Sequence, residues 1–166
     1  LKGKWSLLFF GYTYCPDICP TTLAQLRQVK SELPKEAVDR LQVVLVSVDP
    51  NRDTPNQLKQ YLGYFDKDFR GVTGSLEDTQ KLANAVSIPF IPADTSKPNY
   101  TVDHSGNLAL IGPDGTTLAA SNHDREDSFI GQNFAFRPYF TEAMAGGQGR
   151  FFALGTTSGV RGYSRR

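Results

Sequence analysis

The run Trp5-Ser6-Leu7-Leu8-Phe9-Phe10-Gly11-Tyr12 leads, two residues on, into Cys15-Pro16-Asp17-Ile18-Cys19-Pro20, and this junction decides the fold. The first run is apolar and aromatic over the length of one strand, as in a strand buried on both faces. Beyond the second, Leu23, Leu26, Val29 and Leu33 recur at helical spacing, and Pro20 suits a first helical position. The chain's two cysteines therefore fall between a strand end and a helix start. There, unpaired N–H groups and the positive end of the helix dipole favour a thiolate, and a depressed pKa makes a cysteine a nucleophile or a soft metal ligand. Residues four apart in a turn can also come within the ~4.4–6.8 Å Cα separation that a disulfide needs. Two prolines and Asp17 predict a stiff, exposed loop. The pair is either a structural disulfide closing a small loop or a functional pair that can bond or bind.

Working outward, 166 residues with 39% hydrophobic content support one core, and so one domain with an extension. A net charge of +1 and the lack of a basic stripe exclude nucleic acid as a partner. There is no 18-residue apolar run and no signal-peptide pattern, so the chain as given is expected to be soluble and to carry no address. It opens with Leu1-Lys2-Gly3-Lys4 on the threshold of a core strand, which places any anchor or leader upstream. Two cysteines do not decide between oxidising and reducing compartments.

After the first helix, Pro34 and Lys35-Glu36 mark a break. Leu41 to Val48 is a second β-branched, buried strand, so the two strands and their helix form a right-handed βαβ unit. Asp49-Pro50-Asn51-Arg52-Asp53-Thr54-Pro55 reads as a loop closing in a Thr54 N-cap with Pro55 at the first helical position. Leu58, Tyr61, Leu62 and Phe65 form the next apolar stripe, which should pack on the sheet. A short strand over Phe69 to Thr73 precedes a helix that starts at Ser75, buries Leu82, Ala85 and Val86, and is ended by Pro89 and Pro92.

Phe90 to Val102 is long for a plain linker, and a functional loop is the better expectation. It delivers Asp103-His104-Ser105-Gly106 just before a strand over Leu108 to Ile111. Gly112-Pro113-Asp114-Gly115 then turns the chain into a return strand, Thr116 to Ala120. Chemistry collects at the C-terminal edge of open α/β sheets, and a loop bringing in His104 can reach the cysteines there. His104 is either an ordinary hydrogen-bonded histidine or a ligand; Asp103 either orients its ring or is a solvated charge. Two thiolates and one imidazole, if they meet, make a soft three-donor set suited to Cu(I) and tolerable for Cu(II) or Zn(II), although Zn(II) normally asks for a fourth ligand.

GKWSLLFFGYTYCPDICP, LVSVDPNRDTP and VDHS, in that order, resemble the Sco/SenC copper chaperones over about residues 1–107. The resemblance implies a thioredoxin-like α/β fold, incomplete here because the strands that usually precede the GKW segment are missing. It implies copper, Cu(I) or Cu(II), held by Cys15, Cys19 and His104, with Asp49 and Asp53 in the family's loop near the site. It also implies delivery of copper to the cytochrome c oxidase subunit that carries Cu(A). The location implied is the periplasmic face of a membrane or the mitochondrial intermembrane space, reached through an upstream anchor.

From about residue 110 the chain resembles another family, the periplasmic Cache-type sensing domain of dicarboxylate sensor histidine kinases, through FRPYF, A-x-x-G and FALGTTSG. That resemblance implies pocket roles for Arg137, Tyr139, Thr157 and Ser158, although the fragment is too short for a complete pocket. From the residues alone, Phe136, Tyr139, Phe140 and Ala143 define an amphipathic helix ended by Gly146-Gly147, followed by a strand over Phe151 to Leu154. This helix either covers apolar sheet surface, with Arg137 solvated, or is a poorly packed appendage. His123 reads as solvent-facing. The expected organisation is a thioredoxin-like domain over 1–120 and an atypical helix-plus-strand extension over 121–166.

Three functions follow. One is a non-enzymatic copper metallochaperone. Another is a thiol-disulfide oxidoreductase, in which one of Cys15 and Cys19 attacks a partner disulfide and the other resolves the mixed species. The third is dicarboxylate sensing through the tail.

Overall fold

The computed structural model describes residues 3–120. His123, Arg137, Tyr139, Thr157, Ser158, the expected Phe136–Ala143 helix and the expected strand over Phe151 to Leu154 lie outside the described residues. Five strands form one sheet: β1 (Trp5–Gly11), β2 (Leu41–Ser47), β3 (Arg70–Val72), β4 (Leu108–Ile111) and β5 (Thr117–Ala120), in the order β3-β2-β1-β4-β5. β1 and β2 are parallel neighbours, Trp5 facing Leu41 and Gly11 facing Ser47, and β2 continues in parallel to β3. β4 runs antiparallel to β1, with Leu108 opposite Phe9, and β5 returns antiparallel to β4. This mixed topology positions the site. Because β4 opposes β1, the chain entering β4 arrives at the sheet end where the chain leaving β1 departs.

The helices are α1 (Ile18–Glu32), α2 (Lys35–Arg40), α3 (Pro55–Gly63) and α4 (Leu76–Ala85). α3 starts as expected, in a capping box in which the Thr54 hydroxyl accepts from the Gln57 N–H and the Gln57 side chain returns to the Thr54 N–H. Ser75 likewise caps α4 by accepting from the Asp78 N–H. Leu58 and Leu62 are fully buried with Tyr61 and Phe65 against them, and a Cβ on Gly71 of β3 would lie 2.7 Å from the Leu58 Cβ. That glycine allows α3 to pack directly on the sheet. The core joins Leu8, Phe9 and Phe10 of β1 and Val43 to Val46 of β2 to Leu23 and Leu26 of α1. Burying such side chains is worth about 1.5–3 kcal/mol each.

Four local expectations are corrected. α1 begins at Ile18, so Pro20 is its third residue, which the first turn tolerates because its N–H groups have no helical partner. Val29 is 47% exposed, not core, and lines a groove with Leu26, Gly106 and Leu108. The break at Pro34 holds the short α2, which Pro34 caps and an ion pair from Lys35 to Asp39 spans at 2.6 Å. α4 buries Thr79 and Ala83, not Ala85, and ends before the prolines. There Ser87 takes a left-handed conformation (φ 57°), letting the Ile88 N–H reach the Ala83 carbonyl at 2.9 Å. Gly115 (φ 92°) makes the turn into β5. No helix of the described residues is long and apolar enough to cross a membrane.

Candidate metal centre

Three segments converge at the C-terminal ends of β1 and β2. The first leaves β1 through Tyr12 and Thr13, turns by a Cys15 N–H to Tyr12 carbonyl bond of 3.2 Å, and enters α1 at Ile18, one residue before Cys19. The second is the loop after β2, and the third is the connector into β4. Cys15, Cys19 and His104 meet there, with their ligand atoms all within 4.8 Å of one another. His104 Nε2 lies 3.1 Å from Cys19 Sγ and 3.6 Å from Cys15 Sγ. Both cysteines are free thiols, and the Cys19 N–H points at Cys15 Sγ across 3.4 Å. A Cβ on Gly11 would sit 2.7 Å from Cys19 Sγ, so only glycine leaves room for this sulfur.

The expected exposed loop is only half right. Pro16, Asp17 and Ile18 are exposed, but Cys15 is 7% and Cys19 0% exposed. The expected thiolate at the helix start is also corrected for Cys19. Burial, and next the hydrogen bond with the neighbouring Cys15 sulfur, push its thiol well above its ordinary value of 9.0. Desolvation outweighs the backbone hydrogen bond at Tyr12, which favours the thiolate, so the thiol form is favoured.

His104 is oriented by the backbone. Its Nδ1 lies 2.9 Å from the Val102 carbonyl, which can only accept, so in the neutral ring Nδ1 carries the proton and Nε2 presents its lone pair to the sulfurs. The Val102 N–H donates to the Tyr12 hydroxyl at 3.3 Å, and the Tyr12 ring meets the imidazole edge-on at 5.3 Å. Asp103, the residue expected to orient the ring or to be a solvated charge, is exposed and takes part in a bridge to Ile91. The acidic pair after β2 is buried, Asp49 at 2% and Asp53 at 1% exposure. Asp53 accepts from the Thr13 hydroxyl at 2.6 Å, the Thr13 N–H at 3.2 Å and the Ser47 hydroxyl at 2.7 Å, tying the exit from β1 to the end of β2. Asp49 takes the Arg52 guanidinium and the Tyr100 hydroxyl. Sequence reasoning missed Tyr12, Thr13, Arg52, Tyr100 and Val102. All but Tyr100 lie inside the quoted motifs, but the motifs give them no role, and their roles appear only when three distant segments are side by side.

The raised Cys19 thiol sets a pH dependence. A folded pKa above the unfolded value of 9.0 contributes stability that is fully present below pH 9 and lost as pH rises above it. In the reduced, metal-free protein, the stability difference between wild type and Cys19→Ala should therefore shrink between pH 8 and 10.5, measured by urea denaturation. A difference that stays constant or grows would contradict the assignment.

Fold and site together define a class: a thioredoxin-like α/β protein with two reduced thiols and an imidazole at one end of its sheet. A sequence model of the SCO1/SenC family matches residues 1–135. The chain belongs to the SCO1/SenC family. It is 54% identical over 116 residues to a Stutzerimonas stutzeri protein named "Putative copper-binding protein", covering 70% of this chain and 57% of that one. It is 33% identical over 141 residues to the human mitochondrial protein SCO1 homolog, covering 82% and 47%. The structure of Bradyrhizobium japonicum ScoI with copper bound superposes with a TM-score of 0.65 at 37% identity, covering 76% of this chain and 80% of that one. The chain thus spans about half the length of these two curated relatives. The family match runs beyond residue 107 to 135, across the point where the dicarboxylate-sensor resemblance was placed, and that resemblance finds no support in these comparisons.

Proposed function

We propose that this chain is a copper-binding metallochaperone that holds its cargo between Cys15, Cys19 and His104. The observation that carries this reading is the convergence of two thiols and one correctly oriented imidazole nitrogen within 4.8 Å. Thiol sulfur is a soft donor and selects Cu(I); imidazole is borderline and extends the set toward Cu(II). Among the described residues no fourth His, Cys, Asp or Glu joins the three, so the donors fit copper better than a closed structural zinc site. Uptake of Cu(I) displaces thiol protons, and Cys19 Sγ lies 3.1 Å from His104 Nε2. Burial of both cysteines, with Cys19 fully enclosed, argues against the alternative, direct attack on a partner's disulfide.

The recipient in this reading is the cytochrome c oxidase subunit that carries Cu(A). The chain works at the periplasmic face of a membrane or in the mitochondrial intermembrane space, consistent with a mitochondrial relative. In this reading the thioredoxin-like domain covers residues 1–120 and residues 121–166 form an extension, and the family match itself runs on to residue 135.

Anaerobic titration tests the reading. Reduced protein should take up one copper per chain, and protein whose cysteines have first been oxidised to a disulfide should take up none. Equal uptake by both forms, or none by the reduced form, would refute it.

A further inference from the structure

The geometry points to Arg52 as a positioning residue, a latch that holds the connector carrying His104 over the two thiols in the metal-free protein; this deepens the copper reading and rests on it. Between Ile91 and Asn99 every residue except Ala93 is exposed, so the connector reaches the site from solvent. Asn99 turns it inward with a left-handed backbone (φ 57°), and Tyr100 is the first residue gripped on re-entry. The Arg52 guanidinium does the gripping. One Nη donates to the Tyr100 carbonyl at 3.0 Å, while the guanidinium carbon sits 3.8 Å from the centre of the Tyr100 ring. Arg52 Nε is paired with Asp49, whose other carboxylate oxygen accepts from the Tyr100 hydroxyl at 2.8 Å. Tyr14 covers the guanidinium at 4.8 Å and Tyr12 flanks it at 5.6 Å.

The arrangement is rigid on its own side of the site. The Asp49 N–H donates to the Ser47 hydroxyl, and the Asp49 carbonyl accepts from the N–H groups of Arg52 and Asp53, so the loop presenting Arg52 is fixed to the end of β2. From Tyr100 the path to the site is short. Val102, two residues on, is held by Tyr12 through its N–H and holds the His104 ring through its carbonyl. A freed connector would have to be ordered when metal binds, losing backbone conformational entropy at each residue fixed. The latch makes that ordering part of folding instead. Only a planar, forked cation can make both directed bonds and lie on the Tyr100 ring, which distinguishes this role from a general need for positive charge.

The test uses the reduced full chain with Arg52→Gln, Arg52→Lys and Tyr100→Phe. Groups that orient a metal ligand from outside the donor set typically account for about 10–100-fold in metal affinity, and Arg52→Gln should lose Cu(II) affinity in that range. Cu(I) affinity, dominated by the thiols, should change far less. Arg52→Lys should not rescue, and Tyr100→Phe, which keeps the ring and the carbonyl, should lose less than Arg52→Gln. In a His104→Ala background Arg52→Gln should have no further effect on Cu(II), because both changes remove the same interaction. Without metal, hydrogen exchange at the Val102 amide should accelerate in Arg52→Gln while the β1 amides of Leu8 and Phe9 keep their protection. The latch is overturned if Val102 protection is unchanged, if protection of β1 falls along with it, if the Arg52 and His104 losses simply add, or if lysine restores Cu(II) binding. Failure of the wild-type chain to bind copper would remove the copper reading instead, and Val102 exchange then decides by itself whether Arg52 holds the connector.

Discussion

Serine at Cys15 or at Cys19 is expected to abolish tight copper binding, in either oxidation state, while leaving the fold in place. The exchange is nearly isosteric, so the space kept open by Gly11 beside Cys19 still accommodates the side chain. What changes is donor chemistry: a hydroxyl is a hard, weak donor that does not deprotonate at neutral pH, and Cu(I) loses half of its soft ligands. His104→Ala removes the borderline donor instead, so Cu(II) binding should weaken strongly and Cu(I) binding less, with the thiols still able to form a disulfide. Metal analysis of the reduced variants after anaerobic loading and desalting checks all three. Full copper retention by either serine variant, or unchanged Cu(II) binding in His104→Ala, would show that the three side chains are not the ligand set.

Asp53→Ala should be the most destabilising single change near the site, by about 3 kcal/mol or more. It strips acceptors from the Ser47 hydroxyl and from the N–H and hydroxyl of Thr13, and an orphaned buried donor costs about 1–3 kcal/mol. Asp53→Asn keeps the shape and one acceptor oxygen and should lose about half as much, since bonds to a charged acceptor are roughly twice as strong. Because Thr13 precedes Cys15 by two residues, the alanine variant should also bind copper less tightly. Urea unfolding of the reduced, metal-free proteins gives the comparison. A loss under about 1 kcal/mol for Asp53→Ala would mean that the turn after β1 is held by other contacts.

Much of this architecture is legible before folding. The unbroken apolar runs at Trp5 and Leu41 leave a buried parallel pair as the natural reading, and Thr54 and Ser75 mark helix starts through a chemistry that acts over three residues. The Cys15, Cys19 and His104 meeting is legible because each is a chemically rare side chain at a predicted element end. Other features are not. The direction of the Cys19 pKa depends on how much chain closes over it, which local sequence does not encode. The residue that orients His104 is a backbone carbonyl, and every residue has one, so attention goes to Asp103 instead. Arg52 and Tyr100 have no shared period, and Val29 fits the helical stripe but falls where the described chain leaves a groove.

The three proposed donors are unequally spaced along the chain: the sulfurs belong to residues four apart, whereas His104 is 85 residues from Cys19. An unfolded chain therefore retains the dithiol as a local chelate and loses only the distant nitrogen. A ligand stabilises a protein only by its preference for the folded form over the unfolded one. If these three residues hold it, copper should be a weaker staple for this fold than its affinity would suggest. The share of its binding energy that resists unfolding is the share contributed by His104 and by the enclosure around the sulfurs, so Cu(II) should raise the unfolding midpoint more, relative to its affinity, than Cu(I) does.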